Sequence, residues 1–468
     1  MKLTFCGAAR TVTGSCHLLS LDNQRKILFD CGLYQGREFD LKNFNESWKF
    51  KPEELSYVIL SHAHIDHSGR IPKLIKDGFN GPIYCTYATR DLCAIMLMDS
   101  AFIQERDADW KNKKNKKKGI NETIEALYSI EDVEECLNKF VAIGYDEELE
   151  LKDGSKLTFR DAGHILGSAS VHLTVTSDGQ KKRIGFTGDI GRPDRPILRD
   201  PIPMEQLDYL ICESTYGNKI HPDSPNEKKG LLNIIKETCE VKKGKLIIPA
   251  FSVGRTQEIV YMIDQMQTSG DLPKIPIYVD SPLSINATEI FKAHPECYDS
   301  DILRYLQTDP NPFGFNGLHY IRNVERSKRL NDSDEPCVII SASGMATAGR
   351  IVHHINNNIE DARNTILIVG YCAQGSLGAR LAKKDPMVRI FGQEKKVKAT
   401  IKTMHSFSAH GDQKEMIEFI DNQDRSQLKG MFLVHGDYNR QIEFKDELNK
   451  NGFKNVEIPN LGESFKLS

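Results

Sequence analysis

The segment Ser61-His-Ala-His-Ile-Asp-His-Ser-Gly-Arg70 constrains this chain more than any other, because His62, His64, Asp66 and His67 fall within six positions. Three imidazoles and a carboxylate crowded this closely need a compensating cation. Neutral His with ionised Asp suits a borderline divalent metal such as Zn²⁺. The apolar run Tyr57-Val58-Ile59-Leu60 just before them reads as a buried strand. The ligand types therefore sit on the loop leaving a strand, where a rigid scaffold can aim them. In an extended turn His62 and His64 alternate to one side while Asp66 and His67 point elsewhere, so the spacing predicts two metals.

One loop offers too few ligands, and the chain supplies more at strand ends. Asp161-Ala-Gly-His164 follows Leu157–Phe159, Gly188-Asp189 follows Ile184–Thr187, and Val434-His435-Gly436 follows Met431–Leu433. Each places a ligand type after an apolar run and beside a glycine that permits a tight turn.

The 468 residues suffice for two large domains. Residues 1–213 read as short strands punctuated by Gly and Asp, with one helix over about Thr89 to Ala108. Residues 214–397 alternate strand and helix, as in Lys245–Phe251 followed by Thr256–Gln267, which predicts a parallel α/β domain. Residues 398–468 return to strands and helices, including Met431–Val434 and a helix near Gln441–Asn449. The net charge of −3 gives no overall basic field and argues against indiscriminate polyanion binding, though not against a local positive cleft. Lys111–Lys118 carries six lysines in eight positions. It reads as a solvated flexible loop, with a phosphate-attracting arm as the functional alternative. The eleven cysteines form no CxxC pair, and several sit in apolar runs, so free thiols and a cytoplasmic setting are expected. There is no apolar signal core at the N-terminus, and no run of the roughly 18–20 apolar residues that would cross a membrane.

The string His-x-His-x-Asp-His, followed by His164 and Asp189, resembles the metallo-β-lactamase-fold hydrolases. More specifically, the chain resembles the β-CASP ribonucleases, the family of the nuclease subunit of the messenger-RNA cleavage and polyadenylation machinery and its bacterial and archaeal relatives. The resemblance covers nearly the whole chain. It runs from Asp30 in Leu-Phe-Asp-Cys-Gly through Glu213 in Cys-Glu-Ser-Thr-Tyr-Gly and Asp280-Ser-Pro-Leu. It continues through Ser341-Ala-Ser-Gly-Met345, Gly370-Tyr-Cys-Ala-Gln-Gly-Ser376, Ser406-Phe-Ser-Ala-His410 and Val434-His435-Gly436.

The resemblance implies an α/β fold: a metallo-β-lactamase αββα sandwich built from residues 1–213 and 398–468, with a parallel α/β β-CASP domain inserted over 214–397. It implies two Zn²⁺ per chain, with manganese left open. His62, His64 and His164 would hold one metal, Asp66, His67 and His435 the other, and Asp189 would bridge them with one oxygen for each. Asp30 would orient a ligand imidazole from behind. Water between the metals would attack phosphorus, and His410 paired with Glu213 would protonate the leaving oxygen. His405 is assigned no role.

In the inserted domain two small-residue turns follow strands and precede helices, the arrangement that offers backbone N–H groups to an anion. They resemble the family's phosphate-contacting motifs and implicate Ser341, Ser343, Gly344, Met345, Gly375, Ser376 and Arg380. Relatives more often carry Glu and Thr where this chain has Gln374 and Ser376; the hydroxyl is retained. Single-stranded RNA threading between the two domains is the implied substrate, with no membrane partner and with a homodimer left open. A β-CASP DNA nuclease is the alternative enzyme, disfavoured by His435. A non-catalytic scaffold subunit of an RNA-processing complex is the non-enzyme alternative, disfavoured because every expected ligand is present. A small-molecule hydrolase would not need the insertion. Few residues precede the His-rich loop and 33 follow His435. An N-terminal RNA-binding module and the C-terminal domain of the J-type ribonucleases are therefore expected to be missing, which tilts the expectation to endonuclease.

Overall fold

The computed structural model describes the chain except residues 22–24, 36–43, 178, 222–226, 371, 374 and 405–407. His405, Ser406 and Phe407 of the His410 motif, and Tyr371 and Gln374 of the second glycine-rich turn, lie outside the described residues. The described chain divides into two compact units, Met1–Ile220 with His410–Ser468, and His221–Ala409.

The first unit is built on two seven-stranded sheets. One runs in the order Ser464–Lys466, Lys2–Phe5, His17–Ser20, Lys26–Phe29, Tyr57–Ile59, Ile83–Thr86, Phe140–Ile143. The other runs Val456–Glu457, Gly430–Val434, Tyr209–Glu213, Gln180–Phe186, Ala169–Ser177, Lys156–Asp161, Leu149–Glu150. Their inner faces share one core: Phe29 meets Phe186 with ring centroids 5.7 Å apart, and Phe5 meets Phe432 at 5.3 Å. Each such ring contributes about 1.5–3 kcal/mol by leaving water. Lys156–Asp161 alternates half-buried and buried residues, the period-2 signature of a strand with one core face. Tyr209–Glu213 is buried at every position. It pairs in parallel with Gly430–Val434 and with Gln180–Phe186, and helices cover its other face. On that face Met416 and Phe419 of Gln413–Ile420 and Phe444 and Leu448 of Tyr438–Lys450 pack on Leu210, Cys212, Met431 and Leu433. Helices Tyr87–Lys117 and Ile130–Leu137 pack on each other, the first also against Ile83–Thr86. The result is the expected αββα sandwich.

The second unit holds a six-stranded, all-parallel sheet in the order Leu318–Tyr320, Ile277–Val279, Val338–Ser341, Leu246–Pro249, Thr365–Val369, Thr400–Met404. The near-continuous apolar runs Leu246-Ile-Ile and Val338-Ile-Ile suit strands buried on both faces.

Two expectations need correction. The sequence reading ended the insertion at 397, but Thr400–Met404 pairs along its length with Thr365–Val369, so the inserted sheet continues past that point. A short strand with a lysine at its centre gave no periodic signal of belonging to that sheet. Lys111–Lys118 is not a loop, since the helix beginning at Tyr87 continues through Lys117. Lysine is a good helix former, and cations in a last turn complement the helix dipole. Ten of the eleven cysteines are buried and all are free thiols, as expected. Among the described residues no helix is long and apolar enough to cross a membrane.

Candidate metal centre

The strand Tyr57–Ile59 ends just before His62, and the expected extended turn lasts only to His64. His64 then caps the helical turn Ile65–Ser68, which carries Asp66 and His67. Backbone bonds lock that turn: Ser15 N–H donates to the Asp66 carbonyl at 2.8 Å, and Cys31 N–H to the His67 carbonyl at 2.8 Å. Gly32 must be glycine here, because a Cβ would lie 1.6 Å from the Asp66 carbonyl oxygen.

Seven side chains converge from four chain segments, forming two groups of donor atoms. In the first, His62 Nε2 lies 3.1 Å from His64 Nδ1, which lies 3.2 Å from His164 Nε2. Asp189 Oδ2 lies 3.5 Å from both His62 Nε2 and His164 Nε2. In the second, His67 Nε2 lies 3.2 Å from His435 Nε2, which is 3.4 Å from Asp66 Oδ2. Asp189 Oδ2 also approaches His67 Nε2, at 3.4 Å. One Asp189 oxygen therefore neighbours both groups, where one oxygen for each was expected. Its Oδ1 faces His435 Nδ1 at 3.5 Å and is buried with no hydrogen-bond partner.

Two observations test whether a cation suits these atoms. Tetrahedral zinc with bonds of about 2.0–2.1 Å sets neighbouring ligand atoms about 3.3 Å apart, and the measured separations lie around that value. An orphaned, buried carboxylate oxygen also lacks the partner a charged group requires. The site suits divalent cations on both counts.

The surrounding bonds set the imidazole tautomers. Asp30 is buried and accepts from Ser15 Oγ at 3.0 Å, Ser61 N–H at 2.9 Å, Ser61 Oγ at 3.1 Å and His67 Nδ1 at 2.6 Å. With Ser61 donating to Asp30, its oxygen is left to accept from His62 Nδ1, 3.0 Å away. Thr215 Oγ1 donates to the His435 carbonyl at 3.0 Å and accepts from His435 Nδ1 at 3.0 Å. His62, His67 and His435 thus each keep a proton on Nδ1 and direct Nε2, the nitrogen that would bind a metal, into the cluster. Ser15, Ser61 and Thr215 were missed by sequence reasoning. Ser61 and Thr215 stand inside motifs and could have been found there, whereas Ser15 gives no signal. Asp30 and His435 adopt left-handed backbone with φ of 55° and 52°, local strain of the kind that collects at functional sites.

The electrostatics match this geometry. Burial holds the imidazoles of His62 and His164 well below their ordinary range and brings His64 down to about 4. Burial opposes charge on His67 as well, but the Asp189 and Asp30 carboxylates outweigh it and hold that imidazole well above its usual value. Burial likewise opposes charge on Asp66 and Asp189. The His435 hydrogen bond and the nearby imidazoles prevail for Asp66, and His435, His67 and His410 for Asp189, so both carboxyls sit well below the usual range. A proton on His67 occupies the electrostatic position that a cation would take.

Beside the cluster, His410 Nδ1 lies 3.3 Å from Glu213 Oε2 and 3.9 Å from Asp189 Oδ2. Glu213 is buried at the end of Tyr209–Glu213. Its carboxylate accepts from the backbone N–H of Ile190 and, at 3.3 Å, of Thr215. Burial opposes charge on His410, but Glu213 and then Asp189 raise its imidazole to about 9.

The glycine-rich turns of the second unit are held in shape by their own side chains. Ser341 is buried and donates to the Asp280 carbonyl at 2.7 Å. The Ser343 hydroxyl accepts from Thr347 N–H at 3.2 Å, within its own loop. Ser376 caps the helix Leu377–Ala382 by accepting from Ala379 N–H at 3.2 Å, and Arg380 is paired with Asp385 at 2.9 Å. Gly344 is required because a Cβ would meet the Phe251 ring at 2.7 Å, and Met345 accepts from Gly378 N–H at 3.0 Å, joining the two turns. Gly375 has φ of 90° and open space around it. These hydroxyls shape the turns, and only their backbone could address an anion directly.

Comparison with known proteins agrees with the fold and with divalent-metal binding. Family models match for the metallo-beta-lactamase superfamily over residues 9–231, the Beta-Casp domain over 256–381 and the Zn-dependent metallo-hydrolase RNA specificity domain over 394–459. The chain is 35% identical to a ribonuclease of Thermus thermophilus, over 91% of this chain and 92% of that protein. It is 33% identical to the transcription termination factor FttA of Methanococcus maripaludis, over 90% of this chain but only 64% of that longer protein. A crystal structure of an Enterococcus faecalis protein of unknown function aligns over 100% of this chain and 99% of that one. Its TM-score is 0.54 at 12% identity, a likeness of fold. The chain belongs to the β-CASP ribonuclease group of the metallo-β-lactamase superfamily, a class of divalent-metal hydrolases.

Proposed function

We propose that this chain hydrolyses phosphodiester bonds of single-stranded RNA, cutting internally, with two zinc ions held by the two donor groups. The observation that carries the reading is the pair of donor groups meeting at Asp189, with the Glu213–His410 pair 3.9 Å from the same carboxylate. The ribonuclease relative and the RNA specificity domain support RNA as the substrate class.

His62, His64 and His164 hold one cation, and Asp66, His67 and His435 the other, with Asp189 between them. Bound cations would supply positive charge to the phosphoryl oxygens and acidify the attacking water. Asp30 keeps the Nδ1 proton on His67 and, through Ser61, on His62, so that both Nε2 lone pairs face inward. Thr215 does the same for His435. Glu213 holds His410 protonated and aimed, and His410 delivers that proton to the departing oxygen.

The test uses one single-stranded RNA labelled at the 5′ end and, separately, at the 3′ end. It is incubated with the protein, with chelated protein and with an Asp189→Ala variant. Matching internal fragments from both labels, lost on chelation and in the variant, are expected. Release of mononucleotide from the 5′ end alone would replace the internal mode by an exonuclease. Cleavage of single-stranded DNA but not RNA would overturn the substrate assignment.

A further inference from the structure

The lysine-rich segment that the metal centre does not use forms the last turns of the 31-residue helix Tyr87–Lys117. The pattern Lys-Asn-Lys-Lys-Asn-Lys-Lys-Lys has a structural reading. The two asparagines are half-buried and bind the returning chain: Asn112 Nδ2 donates to the Ile124 carbonyl at 2.8 Å and its Oδ1 accepts from Ile124 N–H at 2.8 Å, while Asn115 Nδ2 donates to the Glu122 carbonyl at 3.2 Å. Pinning the asparagines inward leaves all six lysines exposed. Among the described residues none of the six is ion-paired, and the same helix carries Trp110, just before the lysines, at 62% exposure and Phe102, at its middle, at 49%. Lys114 Nζ lies 4.9 Å from the Trp110 ring centre. A helix end that only needed to be soluble and to complement its dipole would not require an exposed indole among uncompensated ammoniums. Charge that tracks a phosphate backbone, next to an aromatic face on which a base can stack, is the arrangement that binds single-stranded nucleic acid.

We infer that this helix end is an auxiliary binding site for the phosphate backbone of single-stranded RNA, with Lys111, Lys113, Lys114, Lys116, Lys117 and Lys118 on phosphates and Trp110 stacking a base. The choice of RNA rests on the function proposed above. The other end of the same helix is anchored beside the metal centre, where Thr89 Oγ1 donates to the Gly167 carbonyl at 2.8 Å, three residues after His164. At 1.5 Å per residue, Thr89 and Lys113 stand roughly 35 Å apart along the helix. The lysine end therefore tethers long substrates and does not touch the bond being cut. Its local charge supplies the attraction that the chain as a whole, at −3, lacks.

The test compares the metal-loaded wild type with the quadruple variant Lys113→Gln, Lys114→Gln, Lys116→Gln, Lys117→Gln and with Trp110→Ala, after thermal melts establish that all three fold. Binding of a labelled single-stranded RNA of about 30 nucleotides is read by fluorescence anisotropy across a salt series, and KM is read for that RNA and for one of about four nucleotides, too short to bridge the helix. The quadruple variant should bind the long RNA with a salt dependence flattened by about 3 in log–log slope, since each phosphate contact in a single strand contributes about 0.7. Its KM should rise for the long RNA and stay fixed for the short one. Trp110→Ala should weaken long-RNA binding roughly fivefold or more. Equal binding and an equal salt slope in wild type and quadruple variant would overturn the inference, and so would KM rising alike for both lengths. If the wild type cleaves no RNA, the proposed function fails, and the anisotropy comparison still decides whether the lysine end binds RNA.

Discussion

His410 is the residue whose chemistry is most exposed to pH. A proton donor must keep its proton until the transition state, and Glu213 raises the His410 imidazole for that purpose. Glu213→Gln removes the charge and retains one acceptor oxygen, which serves the Ile190 or the Thr215 N–H but not both. The alkaline limb of the pH–rate profile should then move to lower pH, as measured by kcat against pH with RNA. An unmoved limb would separate the limb from this pair. His410→Ala should lower kcat by about 10²–10⁴, the usual range for a general acid, with metal content unchanged. Asp30 acts through His67 and Ser61, so Asp30→Asn should weaken metal binding by about 10–100-fold in a competition titration with a chelating dye. Sequence made much of this scale legible, since the ligands in the His-rich loop and at the strand ends are chemically distinctive. It left Ser15 obscure because a serine that donates to a buried carboxylate looks like any other serine. It gave no sign of the bonds that the serines of the inserted turns make, Ser341 to the Asp280 carbonyl and Ser376 as a helix cap.

At the scale of elements, the His-rich loop depends on its contact with the Asp30–Gly32 segment. Gly32→Ala would place a methyl inside the Asp66 carbonyl, so the loop must move. That variant should lose metal binding, while far-ultraviolet circular dichroism should still report the two sheets. Ser376→Ala should cost about 1 kcal/mol of stability in denaturant unfolding through its lost cap. Strands with alternating or continuous apolar patterns, such as Lys156–Asp161 and Leu246–Pro249, are readable to within a residue or two. Thr400–Met404 is not, because its place in the parallel sheet is fixed by a partner, Thr365–Val369, far away in sequence. The lysine run was misread because local charge suggested solvation, while the two asparagines that hold it helical act through tertiary bonds to Glu122 and Ile124.

For the whole molecule, the histidines of the metal centre together with buried His17 and His172 set a pH dependence of stability. In metal-free protein, burial holds His17 at about 3, His64 and His172 at about 4, and His62 and His164 well below the ordinary 6.5. The unfolded chain takes up these protons near pH 6.5 and the folded chain resists until about pH 4 or lower. This stability is present above pH 6.5 and is lost as pH falls through that window. His67 and His410 have the opposite sign, favouring the fold below pH 6.5 and losing that contribution as pH rises through their elevated values. The raised carboxyls of Asp161, at about 7, and Asp264, at about 6, work the other way within this window, but five groups outweigh these two, so Tm of chelated protein should fall between pH 6.5 and 4. Added zinc should raise Tm most near neutral pH, where protons compete least for the ligands. The central claim, that two cations meeting at Asp189 make this an RNA hydrolase, is tested most directly by titrating zinc into chelated protein while RNA cleavage and bound metal are both followed. Two equivalents per chain, with cleavage rising as the second binds and both lost in Asp189→Ala, is the expected result. Full cleavage at one equivalent, or two bound zinc ions with no cleavage of any single-stranded RNA, would contradict it.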